Sequence, residues 1–258
     1  MALPTGSEPY FEYQVGALRL ALEHAPGEHS LEVTFIDGLT QGRLLDMIQQ
    51  GYINVTLGGY NSALEREFLQ VDFPLTLGLQ GYRILVIHPS LQEKISRVRT
   101  LDDLKPYCIG SGANWQDTRI LKEAGLCVEE APQKALFDML EKGRFEMLHR
   151  AVHEALVGEN LPDLTERGLV LEQDLLIRYP YDFFYYVAKQ NTQLHRILEQ
   201  GFENAFQNGA FIEYFQSNRA MRNAVEHIRH ANRRIIDIEN ADMSSQTEDR
   251  SSRYWLTN

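Results

Sequence analysis

The sequence predicts an α/β protein of two lobes joined by a double crossover. Two apolar, aromatic segments carry that prediction: Tyr82-Arg83-Ile84-Leu85-Val86-Ile87-His88-Pro89 and Phe183-Phe184-Tyr185-Tyr186-Val187-Ala188-Lys189 both read as strands. Short strands alternate with amphipathic helices between them, and α/β material lies before and after. A chain that leaves one lobe, builds a second and returns puts lobe 1 at residues 1–86 and 184–258 and lobe 2 at 87–183. The two crossover strands would act as the hinge, and the cleft between the lobes would be the ligand site.

The elements follow in order. Val15, Leu18, Leu20 and Leu22 give a helix with an apolar face. Leu31, Val33 and Phe35 alternate with polar residues as a strand does. Arg43 to Gln50 is a short helix stopped by Gly51, and Ile53, Val55 and Leu57 alternate up to Gly58-Gly59. Beyond the first crossover, Thr100 caps a helix at Leu101. Strands are predicted at Tyr107 to Gly110, from Cys127, at Phe145 to Leu148 and at Val170 to Ile177. Helices are predicted at Trp115 to Ala124, Ala135 to Lys142 and Ala151 to Val157. Beyond the second crossover, Leu194, Ile197, Leu198, Phe202 and Phe206 share a helical face, broken at Asn208-Gly209. Two more helices and a strand at Ile235 to Ile238 follow. Asp242 to Arg253 is polar and reads as loose, with Tyr254-Trp255-Leu256 able to tuck back.

The 258 residues suffice for two small lobes with real cores. A net charge of −11 argues against nucleic acid as a partner, since phosphate binding needs a basic surface. No apolar run approaches the roughly 20 residues that span a bilayer. The first residues lack the basic and apolar regions of a signal peptide. Cys108 and Cys127 fall on neighbouring strands, away from any metal-site spacing. Two buried free thiols are the favoured reading and a disulfide the alternative.

Several stretches, taken in order, resemble a known class. Glu65-Arg66-Glu67 precedes Val71-Asp72-Phe73-Pro74 and the first crossover. Leu101-Asp102-Asp103-Leu104-Lys105 leads into Ile109-Gly110-Ser111-Gly112, Leu140 to Glu146 leads into the second half of the cleft, and the helix–Asn208-Gly209–helix segment follows the second crossover. This order resembles the extracellular (periplasmic) solute-binding proteins of the polar amino-acid class, with the type II periplasmic-binding fold, over nearly the whole chain. A narrower resemblance is to a branch with a Trp-x-Asp-Thr helix start and a Gly-Arg-Phe-acid-x-x-x-Arg segment, here Trp115 to Thr118 and Gly143 to Arg150.

The resemblance implies site residues. Arg66 matches the arginine that grips a ligand carboxylate, which a guanidinium fork suits; a surface arginine pairing with Glu65 or Glu67 is the plainer alternative. Tyr60 and Asn61, after Gly58-Gly59, lie at a sheet edge where open α/β sheets place ligands. Gly110, Ser111, Gly112, Asn114 and Trp115 form a strand-to-helix link whose N–H groups, hydroxyl and indole suit an anionic group and an apolar wall. Tyr13, with Tyr10, lies where the class places an aromatic residue over the ligand. The acid that usually holds a ligand ammonium is replaced by Ala151, preceded by His149 and Arg150. A cleft with Arg66 and Arg150 would favour an anionic ligand, unless Glu154 pairs with Arg150 or replaces the missing acid. His149 and His153 are four apart, but no third ligand follows, so no metal and no cofactor are expected.

The expected function is a monomeric, non-enzymatic receptor in the periplasm, its signal peptide absent from this chain. It would capture an amino acid or organic acid for an ABC-type membrane transporter, by hinge closure. One alternative is the ligand-sensing domain of a signalling protein. The other is an enzyme on the same fold, resembling cyclohexadienyl dehydratases, with Glu154, Glu146 or His149 as acid or base.

Overall fold

The computed structural model describes residues 1–156 and 164–256; Val157, the expected end of one helix, lies outside them. The chain divides into two compact units. Unit one comprises Met1–Leu77, Asp182–Asn218 and Ser244–Trp255, and unit two comprises Gly78–Tyr181 and Arg219–Met243, with Leu256.

The chain begins in unit one with β1 (Ala2–Pro4), α1 (Glu8–His24), β2 (Thr34–Ile36), α2 (Gln41–Gln49), β3 (Val55–Gly59), α3 (Ser62–Glu67) and β4 (Phe68–Val71). Unit two follows with β5 (Tyr82–Ile87), α4 (Gln92–Ile95), α5 (Leu101–Leu104), β6 (Cys108–Gly112), α6 (Gln116–Glu123) and β7 (Cys127–Ala131). It continues with α7 (Leu136–Glu141), β8 (Met147–Ala151), α8 (Val152–Ala155), β9 (Val170–Leu171) and β10 (Leu175–Arg178). β11 (Phe183–Ala188), α9 (Thr192–Gln207) and α10 (Ala210–Ser217) return to unit one; α11 (Arg219–His230) and β12 (Arg234–Asp237) to unit two; α12 (Ser245–Ser251) closes unit one.

Neither aromatic strand bridges the units. β5 is buried along its whole length and pairs antiparallel with β8 and β10, so it is a central strand of unit two. Burial on both faces is why its sequence is a nearly unbroken apolar run. β11 lies in unit one between β3 and β4. The division therefore falls at 77/78 and 181/182, short of the positions expected from the sequence, and residues 219–243 cross back a further time. That return is fixed by β12, which pairs parallel with β10 from Leu175↔Arg234 to Arg178↔Asp237.

The sheet of unit two runs β12-β10-β5-β8-β6-β7, with β9 also on β5. Thr100 caps α5 in a reciprocal pair with Asp103, as its sequence implies. Cys108 and Cys127 face each other in the parallel register of β6 and β7, their Cα atoms 4.5 Å apart, and form a disulfide. This corrects the free-thiol reading: both are only partly buried, and the register of parallel strands places them in bonding range.

In unit one, α1 crosses α9 so closely that a Cβ on Gly201 would lie 2.0 Å from the carbonyl of Ala21. Phe73 anchors the core, stacked on Phe202 at 4.6 Å and edge-on to Phe211 at 4.6 Å. Tyr254 closes on Phe73 and Phe206, so the tuck-back near the C-terminus is real. The preceding polar stretch is not loose. It forms α12, capped by Ser244, and Thr247 is fully buried with hydrogen bonds to Glu65 and Gln70.

Candidate functional site

The expected binding residues separate between the units. In unit two, β6 and β8 lie side by side and parallel, with Ile109↔Met147 and Gly110↔Leu148 in register. That pairing brings the Gly110 to Trp115 stretch beside His149 and Arg150. β6 extends to Gly112, further than its sequence suggests, and the chain then turns through Asn114, whose φ of 68° is left-handed. Gly110 and Gly112 are required by close packing: a Cβ would lie 2.2 Å from the ring of Phe145 or from the indole of Trp115 respectively.

A hydrogen-bond chain locks this turn. The Thr118 hydroxyl donates to the carbonyl of Gly112 at 2.9 Å. Ser111 Oγ lies 2.7 Å from Thr118 Oγ1 and 2.8 Å from His149 Nε2. Since Thr118 has one proton, already given to Gly112, it accepts from Ser111. Ser111 then accepts from His149, which carries its proton on Nε2. Burial, then the charges of Arg83 and Arg150, push the His149 imidazole well below its usual range, so it stays neutral.

Four charges surround this chain. Arg83, on β5, forms a buried ion pair with Asp117, and Asp117 also accepts from the hydroxyl of Tyr179 at 2.5 Å. The Arg83 guanidinium lies over the rings of Tyr179 and Tyr181 at 5.6 and 5.9 Å. Arg150 Nη2 lies 3.0 Å from Glu154 Oε2, and its guanidinium sits 5.5 Å from the Trp115 ring centre. Burial works to raise the Glu154 carboxyl, but Arg150, His153 and Arg83 outweigh it and hold it below the ordinary value. Burial also takes His153 down to about 4, against the pull of Glu154 and with the help of Arg83 and Arg150.

Two guanidiniums thus meet two carboxylates, and both imidazoles are neutral. The site has no net charge. Its buried polar atoms are nonetheless incompletely paired. Nε of Arg83, Nε of Arg150, Nδ1 of His149 and Nδ1 of His153 have no hydrogen-bond partner among the described residues. Buried polar atoms are nearly always paired, so their concentration here marks a place built for more than packing. Arg150 is not the free cation of the two-arginine expectation. Glu154, one helical turn on, neutralises it, and Arg66 stands exposed in unit one without an ion pair among the described residues. The anionic ligand expected from that pair is therefore not supported.

The other unit-one residues serve the fold where they stand. Tyr60 is 1% exposed; its hydroxyl donates to Glu65 and accepts from the N–H of Ser244. Asn61 caps α3 through the N–H groups of Ala63 and Leu64. Tyr13 is buried, donates to the carbonyl of Leu75 and stacks on Tyr214. Sequence reasoning missed Arg83 and Asp117. Asp117 was visible within the Trp-x-Asp-Thr start; Arg83, an interruption in an apolar strand, was the unread signal.

No protein-family model matches this chain, and no curated protein sequence does. Solved structures match in fold. An amino acid ABC transporter substrate-binding protein from Streptococcus pneumoniae bound to L-arginine shares 14% identity, with a TM-score of 0.57 over 83% of this chain and 84% of that one. An ancestral arginine-binding protein bound to arginine shares 17% identity, TM-score 0.54, over 80% and 86%. A periplasmic binding protein of Salmonella typhimurium with high arginine specificity shares 13%, TM-score 0.53, over 80% and 87%. The chain has the mixed α/β fold of these two-lobed binding proteins. No helix among the described residues is long and apolar enough to cross a membrane.

Proposed function

We propose that this chain is a solute-binding protein that captures a small zwitterion of amino-acid type and presents it to an ABC-type transporter. The observation that carries the reading is the charge-balanced Arg150–Glu154 pair beside Trp115. A ligand carboxylate takes the guanidinium of Arg150, and the ligand ammonium takes Glu154, the acid that Ala151 cannot supply. Each charge exchanges one partner for another, so no buried charge is left alone. A dianion would bring two uncompensated charges into a site that is already neutral. Trp115 remains partly exposed and offers the ligand an apolar wall.

The fold neighbours support the same class, since those named above bind arginine and another copy of the ancestral protein binds glutamine. The Cys108–Cys127 disulfide supports an oxidising compartment such as the periplasm. The fold neighbours named above are binding proteins, so capture is proposed without turnover.

A thermal-shift screen of amino acids, dicarboxylates and sugars tests the reading. A ligand specific to the native state raises the midpoint by mass action, worth about 2.7 kcal/mol at a hundredfold excess over Kd. The reading expects hits among amino acids, each recovered unchanged by NMR. Hits confined to dicarboxylates or sugars, or conversion of the bound compound, would overturn it.

A further inference from the structure

Cys108 and Cys127 stand 19 residues apart, a spacing that conceals any shared chemistry. The parallel register of β6 and β7 removes that distance. Cys108 pairs with Cys127, and Gly110 pairs with Glu129, two residues on. Side chains two residues apart on a strand share a face, so Glu129 projects beside the two sulfurs. Both sulfur atoms and a Glu129 carboxylate oxygen lie within 4.8 Å of one another. Gly110 has no side chain to fill the row, and the Phe145 ring stands in its place as an apolar wall.

The neighbouring acids have other tasks. Glu130 pairs with Ser111 in the register, so it projects to the opposite face, where it forms an ion pair with Lys122. Glu146 accepts the N–H of Cys108 at 2.7 Å. Glu129 is exposed and has neither a hydrogen bond nor an ion pair among the described residues. β7 ends the sheet, so the two half-buried sulfurs and this carboxylate can be reached from solvent.

We infer that Cys108, Cys127 and Glu129 form a redox-gated zinc site. A small dithiol reduces the disulfide: it gives up two electrons and two protons, closes to its own cyclic disulfide, and leaves two cysteine thiols. Zinc then displaces both thiol protons and takes the two thiolates, one Glu129 oxygen and a water. Two thiolates on one tetrahedral zinc lie about 3.8 Å apart, given Zn–S bonds of about 2.3 Å. Cα atoms 4.5 Å apart allow that separation by side-chain rotation alone. Paired thiolates favour zinc over magnesium and calcium, which take oxygen ligands. While the disulfide is intact neither sulfur is a thiolate, the form that binds metal, so oxidation closes the site.

The test is titration of cobalt(II), then zinc, into the untagged full chain, reduced with a phosphine and freed of it without air. The reduced chain should bind one cobalt with the visible bands of a tetrahedral thiolate site, and one zinc should displace it. The oxidised chain should show neither. Glu129→Gln should weaken zinc at least about tenfold, the least that even an outer-shell partner contributes. Glu130→Gln, at an exposed position on the other face, should leave the affinity unchanged. A lack of thiolate bands in the reduced chain, equal affinity in the two glutamine variants, or the same binding by the oxidised chain would each overturn the inference. Should the reduced chain unfold, zinc should restore its circular dichroism, since metal binding is then coupled to folding. A chain that binds zinc and stays unfolded would equally overturn the site.

Discussion

Arg150 and Glu154 face each other at 3.0 Å across the junction of β8 and α8, with their side chains 6% and 12% exposed. Neither charge has water enough to stand alone, so each depends on the other. Glu154→Gln leaves a buried guanidinium without its counter-charge. It should cost about 3 kcal/mol of stability, read as a lowered midpoint in urea unfolding. A loss within experimental error would mean that the pair is more solvated than its geometry implies.

Acidification should weaken the protein through the two imidazoles. An unfolded histidine binds a proton near 6.5, whereas His153 resists to about 4 and His149 is held well below its usual value. Between these limits the unfolded chain carries more protons, so stability is complete above about pH 6.5 and falls as pH drops. The slope approaches about 1.4 kcal/mol per pH unit for each imidazole. Glu154, whose carboxyl is also depressed, adds a loss in the same direction at lower pH. Unfolding midpoints from pH 7.5 to 4.5 measure this, and His149→Asn should flatten the curve. Nitrogen-15 NMR at pH 6 should find His149 neutral with its proton on Nε2.

Reduction of Cys108–Cys127 releases a loop with a sequence separation of 19, which should cost about 3 kcal/mol. Comparing melting midpoints with and without dithiothreitol tests this, with a Cys108→Ser, Cys127→Ser double variant as the insensitive control.

Gly110→Ala and Gly112→Ala force a methyl group into Phe145 and Trp115. Each should destabilise by about 1–3 kcal/mol in chemical denaturation. Gly112→Ala should also perturb Trp115 fluorescence, which Gly110→Ala should leave nearly unchanged.

Much of this was legible in the chain itself. Burial on both faces makes β5 and β11 read as apolar runs, and a cap such as Thr100 is a local signal with a local partner. Arg150 and Glu154 were legible as a pair because they are four residues apart. What escaped depends on distant partners. Asp117 lies 34 residues from Arg83, and nothing in either neighbourhood announces the other. The helix Ser245–Ser251 has few apolar residues; it is held by hydrogen bonds to Glu65 and Gln70, which only the folded chain brings near. The disulfide depended on the register of β6 against β7, and a slip of one residue would have separated the two sulfur atoms. Tyr60 was read as a ligand wall because it ends a strand, a position that the same sequence also uses for a buried tyrosine serving Glu65.

The most direct measurement is calorimetric titration of L-arginine, L-glutamine and glutarate into the wild type and into folded Glu154→Gln. The account predicts saturable binding of at least one amino acid to the wild type, weakened about a hundredfold or more in the variant, and no binding of glutarate. Tight binding of glutarate, or an amino-acid affinity that Glu154→Gln leaves unchanged, would contradict the partner exchange at Arg150 and Glu154.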